Sequence, residues 1–335
     1  MRSAVNAAVR QEAVAPPSGE AWAFHAAQAG YEPTPLHGLP RLARELGLGA
    51  VALKDESNRL GLPSFKVLGA SWATERTLRE QPDTSTLVAA SAGNHGRAVA
   101  HVAALRGLAC RVYLPARSVR QRREAIAAEG AEVVVVDGAY EDAVAEAAAA
   151  GAEPGSAEIA DVGTSDTASW VIDGYATLFS EAAEQGDHDL LLVPVGVGSL
   201  AAAAARFAAQ GGARVVAVEP DTAACLTASL AIGRPTEVET PGTTMAGLDC
   251  ARVSEAAWPS LRDGVHGAVT VSDVEANAAV SELAEAGLAI GASGAAPLAG
   301  LRALVNEPDC ADLREALSLG PESRVLLVAT EGPTG

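Results

Sequence analysis

The sequence predicts an α/β protein: parallel strands forming sheets with helices on both faces. Two observations carry this. Short apolar runs alternate with amphipathic stretches of about a dozen residues along most of the chain, the pattern of strand–helix–strand crossovers. Several of those runs end in loops rich in glycine or hydroxyl residues, and the carboxyl ends of parallel strands are where such sheets bind ligands. The 335 residues suffice for one large or two medium domains, and 49% hydrophobic with 20% charged residues is a globular composition.

Taken in order, residues 1–30 are alanine-rich around Pro16-Pro17-Ser18-Gly19 and read as an irregular arm. A short helix is predicted over 39–48 and a strand over 50–57, where apolar positions alternate and end in charge. The loop 58–64 leads into a helical stretch at 65–80, with Ser64 as its expected N-cap. Strand and helix then alternate: 86–90 with 91–107, 110–116 with 118–130, and 131–138 with 140–151. A second series begins with a helix at 170–186 and continues through strand 189–195, helix 196–212 and strand 214–220. It closes on strand 324–330. No repeat of fixed period interrupts the pattern.

Charge and composition exclude several functions. Acids outnumber bases 42 to 24, a net charge of −18, which opposes binding to phosphate-rich nucleic acid. No apolar run approaches the roughly 18 residues of a membrane span, and the N-terminus lacks a signal-peptide core. Cys110, Cys225, Cys250 and Cys310 form no CxxC pair and the six histidines no HExxH, so neither a disulfide framework nor a metal site is expected. A reducing cytoplasm is the expected location. Among the 24 basic residues only Lys54 and Lys66 are lysine; the rest are arginine. Arginine stays protonated, whereas a lysine amine can lose its proton and attack a carbonyl, so a lysine retained in such a chain is a candidate nucleophile.

Four loops can carry chemistry. In Gly196-Val197-Gly198-Ser199-Leu200-Ala201 the glycines let the backbone approach a ligand closely, and the helix N-terminus with the Ser199 hydroxyl suits a phosphate. The same loop also reads as a plain glycine turn. As Gly196-x-Gly198-x-x-Ala201 with Glu219 about 20 residues on, it equally fits a dinucleotide fingerprint, which leaves an NAD-dependent dehydrogenase open. Ser91-Ala92-Gly93-Asn94-His95 offers a hydroxyl, an amide and helix-start N–H groups to a carboxylate, although a histidine there is more often a packing or capping residue. Ser64-Phe65-Lys66 places a lysine at a helix start, and Thr330 ends the last strand. A nicotinamide site explains neither the 91–95 loop nor Lys66; a lysine that bonds a carbonyl cofactor explains both.

These motifs, in this order, resemble the fold-type-II pyridoxal-phosphate (PLP) enzymes, the tryptophan-synthase-β-like family, over residues 31–335. Within it the chain is most similar to the diaminopropionate ammonia-lyases. The similarity lies in KDESNRLGLPSFKVLGAS at 54–71, GNHGRAVA at 93–100, WVIDGYATL at 170–178 and VGVGSLA at 195–201. It continues in VEPDTAAC at 218–225, TTMAGLDC at 243–250, SGAAPLAGL at 293–301 and TEGPTG at 330–335. The resemblance implies two doubly wound α/β domains with the cofactor between them: a larger one from 1–71 plus 161–335 and a smaller, mobile one from 72–160. It implies that Lys66, next to Phe65, carries pyridoxal 5′-phosphate as a Schiff base, and that Asn94 contacts the cofactor ring. Gly196, Val197, Gly198, Ser199 and Leu200 would hold its phosphate, Thr330 would lie near the pyridine nitrogen, and residues Ser91 to His95 would hold the substrate carboxylate. A homodimer is also implied.

The implied reaction is α,β-elimination on a small amino acid, 2,3-diaminopropionate giving pyruvate and ammonia, with Lys66 as base and Asp166 as proton donor to the leaving group. Serine/threonine dehydration and β-replacement are the alternatives on the same fold. Three departures stand out. The family usually has Asp where this chain has Ala92, tied to removing the α-proton of the D-isomer, so the L-isomer is the expected substrate. The acid usually preceding SGA is Ala292. The family's DTxWEGY segment is altered, which leaves Asp161 and Asp166 both as candidates for its acid.

Overall fold

The computed structural model describes residues 2–333. The chain opens with β1 (Ser3–Val5), α1 (Glu20–Ala26), β2 (Leu36–Gly38), α2 (Pro40–Leu46) and β3 (Ala50–Asp55). Next come α3 (Lys66–Glu80), β4 (Thr86–Ala90), α4 (Asn94–Arg106), β5 (Ala109–Pro115), α5 (Arg120–Ala128), β6 (Glu132–Val136), α6 (Tyr140–Gly151) and β7 (Ser156–Glu158). Then α7 (Asp166–Gln185) leads to β8 (Leu190–Pro194), α8 (Ser199–Gly211), β9 (Arg214–Pro220), α9 (Cys225–Ile232) and α10 (Trp258–Gly264). The last elements are β10 (Gly267–Val271), α11 (Asp273–Glu285), α12 (Ala292–Asn306), α13 (Ala311–Ala316) and β11 (Arg324–Ala329).

Two compact units result: Met1–Phe65 with Tyr175–Gly335, and the inserted Lys66–Gly174. The first holds a seven-stranded sheet ordered β1-β10-β9-β8-β11-β3-β2, parallel except for its two edge strands. Strand residues alternate between faces. Leu190 and Leu192, Val216 and Val218, Val269 and Val271, and Val325 and Leu327 share one core with Ala295, Leu298 and Leu301 of α12. Their neighbours Leu191, Val193, Val215, Ala217 and Leu326 are buried too, as a sheet covered on both faces requires.

The inserted unit holds a parallel sheet ordered β6-β5-β4-β7. Val88, Tyr113 and Val136 pack against Ala143, Ala147 and Ala150 of α6. This unit is wider than the expected 72–160 because α3 and the start of α7 pack inside it. A Cβ on Gly174 would stand 2.6 Å from the Leu68 carbonyl oxygen and 2.8 Å from Gly69 Cα, so the two helices touch backbone to backbone.

Two local expectations fail. The N-terminal segment is not an irregular arm: Ala4 pairs with Ala268, so Ser3–Val5 adds an antiparallel edge strand to β10, and Arg2 is ion-paired with Glu275. Nor does Ser64 cap α3, which begins two residues later at Lys66. The Ser64 backbone instead bridges to Glu331, and the Phe65 amide donates to the Thr330 carbonyl at 3.3 Å.

Candidate active site

Lys66 is the first residue of α3, with its side chain 20% exposed. Its Nζ donates to Asp161 Oδ2 at 3.0 Å. Asp161 lies in the turn between β7 and α7, where burial pushes its carboxyl up but the charges of His95 and Lys66 outweigh that and hold it down at about 2. Burial also lowers His95 below its ordinary 6.5, more than Asp161 raises it. At neutral pH His95 is therefore uncharged, and the charge that keeps Asp161 ionised there is Lys66. Asp166, expected as the proton donor, stands exposed in the first turn of α7, where an acid favours the helix N-terminus. The acid within hydrogen-bonding distance of the Lys66 amine is Asp161.

The loop after β4 brings Ser91 through His95 to the start of α4. The Gly93 amide donates to Ser91 Oγ at 3.3 Å, and Gly93 itself, in an extended conformation, is the N-cap. No side chain of the N-cap residue caps α4, whose N-terminus carries the partial positive charge that favours an anion. Gly96 has no freedom to change, because a Cβ there would overlap the Ser91 carbonyl oxygen. Asn94 opens the helix and is partly buried; His95 is 3% exposed, and its Nε2 lies 2.7 Å from the Ile159 carbonyl oxygen. Lys66, Ser91 to His95 and Asp161 all belong to the inserted unit. Ile159 was not foreseen.

In the other unit, β8 runs into Gly196-Val197-Gly198 and then α8. A Cβ on Gly196 would lie 2.9 Å from the Gly247 carbonyl oxygen and 3.0 Å from Cys250 Sγ. Gly198 has φ +92° and caps α8 without a side-chain acceptor. Val197 accepts from the Ser254 amide at 2.8 Å, and Ser199 and Leu200 are buried. The segment 245–254 thus forms the wall of the glycine loop, a role that no local pattern in it signals. A leucine at 198 meets two obstacles. Its Cβ would come 2.6 Å from Leu261 Cδ1, a side-chain end that can move, but the left-handed backbone costs about 1–2 kcal/mol and is relieved only by moving the loop. Gly198→Leu is expected to weaken phosphate-anchored ligand binding by about tenfold, measured as PLP occupancy by absorbance titration.

Glu219 does not serve a ribose. It is 0% exposed, and its carboxylate accepts from the Leu226 and Thr227 amides at 2.7 and 2.8 Å and from Thr227 Oγ1 at 2.7 Å, so it caps α9. Burial pushes this carboxyl up to about 7 against those donors. The dehydrogenase alternative loses its acid. Thr330, just past β11, is buried, as is Glu331. A Cβ on Gly247 would stand 3.7 Å from Glu331 Oε2, which puts that carboxylate near the wall of the glycine loop. Phe65 packs on Tyr175, ring centroids 4.6 Å apart. Ala292 opens α12.

Lys54, the other lysine, is 0% exposed and ion-paired. Its Nζ bonds the Thr34 carbonyl and Gln185 Oε1, each at 2.8 Å, and Glu181 Oε2 at 2.7 Å. Arg59 pairs in turn with Glu56 at 2.6 Å and Glu181 at 2.7 Å, closing a buried network of two cations and two anions.

In one unit, a glycine cradle that a Cβ would fill and a helix N-terminus without a side-chain cap fit a phosphate such as that of PLP; in the other, taken by itself, a lysine with its side chain partly exposed fits an aldehyde. The comparisons agree. The family model for pyridoxal-phosphate dependent enzymes matches residues 27–331. The diaminopropionate ammonia-lyase of Salmonella typhimurium is 34% identical over 360 aligned positions, 94% of this chain and 89% of its own. The biosynthetic L-threonine dehydratase of Corynebacterium glutamicum is 32% identical over 82% of this chain but only 65% of its own. The crystal structure of Escherichia coli diaminopropionate ammonia-lyase in complex with an aminoacrylate–PLP azomethine reaction intermediate superposes with a TM-score of 0.88. It is 30% identical and covers 98% of this chain and 93% of its own. No helix among the described residues is long and apolar enough to cross a membrane.

Proposed function

The chain belongs to the pyridoxal-phosphate dependent enzymes, and from that premise we propose that it is an ammonia-lyase converting L-2,3-diaminopropionate and water to pyruvate and two ammonia. The observation that carries the reading is the Lys66–Asp161 pair, an amine and a carboxylate 3.0 Å apart. Bound PLP supplies an electron sink for the α-carbon. Lys66 would hold the cofactor through its amine and, when that amine is free, would take the α-proton as general base. Asp161 holds the lysine in place and shares its proton, which then goes to the departing β-amine. The amides of the 91–95 loop and the Ser91 hydroxyl would bind the substrate carboxylate, and Asn94 would contact the cofactor. Residues 196–200 would hold the phosphate, and Thr330 with Glu331 would hold the cofactor ring.

The protein is further read as a cytoplasmic homodimer with no nucleic-acid partner. Its net charge of −18 supports the last point, and the absence of disulfides among its cysteines is consistent with the compartment.

The test is a substrate panel on PLP-loaded protein, following ammonia and 2-oxo acid separately. L-2,3-diaminopropionate is expected to give two ammonia per pyruvate. Faster release of one ammonia per 2-oxo acid from L-serine or L-threonine would make the enzyme a dehydratase.

A further inference from the structure

Neutral His95 has one hydrogen-bonded nitrogen and one idle one. Nε2 lies 2.7 Å from the Ile159 carbonyl oxygen, which can only accept, so Nε2 carries the proton and Nδ1 the lone pair. Nδ1 is buried and has no hydrogen-bond partner among the described residues. It faces Asp161 Oδ2 at 3.8 Å, beyond hydrogen-bonding range. A buried acceptor left unsatisfied costs about 1–3 kcal/mol, and such exceptions in an otherwise bonded core call for an explanation. Asp161 in turn is bonded to Lys66. Lys66 and His95 thus both stand against Asp161 Oδ2 within one unit, and among the described residues the charged groups acting on His95 are Asp161 and Lys66.

We propose that His95 is a positioning residue for Asp161: its Nδ1 receives the proton that Asp161 takes from the Lys66 ammonium, and returns it through Asp161 when the leaving group needs it. The step balances without a further reactant. An N–H bond of the Lys66 ammonium breaks and an O–H bond forms on Asp161; that bond then breaks as N–H forms on Nδ1. The result is a neutral lysine, an ionised Asp161 and an imidazolium held between Asp161 and the Ile159 carbonyl. A shift of about 1 Å closes the 3.8 Å gap to bonding distance. Burial makes the imidazolium costly, so the proton is held briefly and given back. Without Nδ1 the proton would stay shared between Lys66 and Asp161 until the leaving group takes it.

The inference rests on the role proposed for Asp161, and the variants separate the two. His95→Gln keeps a donor for the Ile159 carbonyl and removes the titratable nitrogen. It is expected to bind PLP as the wild type does and to lower kcat by about tenfold or more, with KM little changed and the pH profile of kcat displaced. Asp161→Asn is expected to lower kcat at least as far, and adding His95→Gln to it should cost little more, because the two act as one unit. In cofactor-free protein, nitrogen NMR is expected to show the Nε2–H tautomer of His95, with a pKa that falls further in Asp161→Asn, since the lost carboxylate is what raises it. An impaired Asp161→Asn beside a His95→Gln variant of wild-type kcat and pH profile would overturn the relay alone, as would the Nδ1–H tautomer. An unimpaired Asp161→Asn would overturn the role of Asp161 itself.

Discussion

Borohydride reduction of the PLP-loaded protein, which traps a cofactor–lysine bond, is expected on peptide mapping to label Lys66 and leave Lys54 unlabelled. With two lysines in the chain the outcome is binary. The Lys54 amine already bonds three oxygens and has no surface in contact with solvent, so an aldehyde can neither reach it nor find a lone pair there. The Lys66 amine is paired with Asp161, and a fifth of its side chain is exposed. Lys66→Ala should abolish the label and lower turnover by at least the roughly two to four powers of ten that a general base contributes. Lys54→Met should act on folding instead. It leaves the anions Glu56 and Glu181 facing Arg59 alone, and breaking one partner of a buried ion network costs about 3–5 kcal/mol. Denaturant titration should show that loss while the folded fraction still labels at Lys66. A label on Lys54, or one that persists in Lys66→Ala, would overturn the assignment.

The contrast between the two lysines also shows which features were legible in the sequence. A lysine at a helix start after a loop, and glycines that open a helix after an apolar strand, are local signals. The structure accounts for the glycines by a positive φ at 198 and a crowded Cβ position at 196. The surroundings of Lys54 are not local: a charged strand end reads as solvated or ion-paired, and the choice between them falls to Glu181 from α7 and Thr34 from the segment before β2, which close over it. Glu219 had the spacing of a ribose-binding acid, but spacing is blind to α9, whose first amides use up its oxygens. Choosing between Asp161 and Asp166 needed the path of the chain after β7, because both lie five residues apart in one turn-rich stretch. The edge strand at Ser3–Val5 left no pattern either, being too short to alternate and depending only on the open edge of β10.

The two enantiomers of 2,3-diaminopropionate are expected to differ in turnover by roughly two to four powers of ten in favour of the L-form, the contribution of a general base. A base takes a proton from about 3–3.5 Å, so bases serving opposite faces of one α-carbon stand about 6–7 Å apart. Lys66 serves one face. Asp161 cannot serve the other while its Oδ2 is 3.0 Å from the Lys66 amine, for that places it on the lysine's side of the substrate. The loop between β4 and α4 would have to supply the second base. There this chain carries Ala92, whose methyl cannot accept a proton, at the position where the resemblance implies Asp. Ala92 is partly exposed, so a carboxylate fits without burying a charge. Ala92→Asp is accordingly expected to raise turnover of the D-form by tenfold or more while the L-form changes little. Pyruvate release measured on each pure enantiomer decides the matter. Comparable rates in the wild type would show that another residue reaches the second face and that Asp161 leaves Lys66 during turnover.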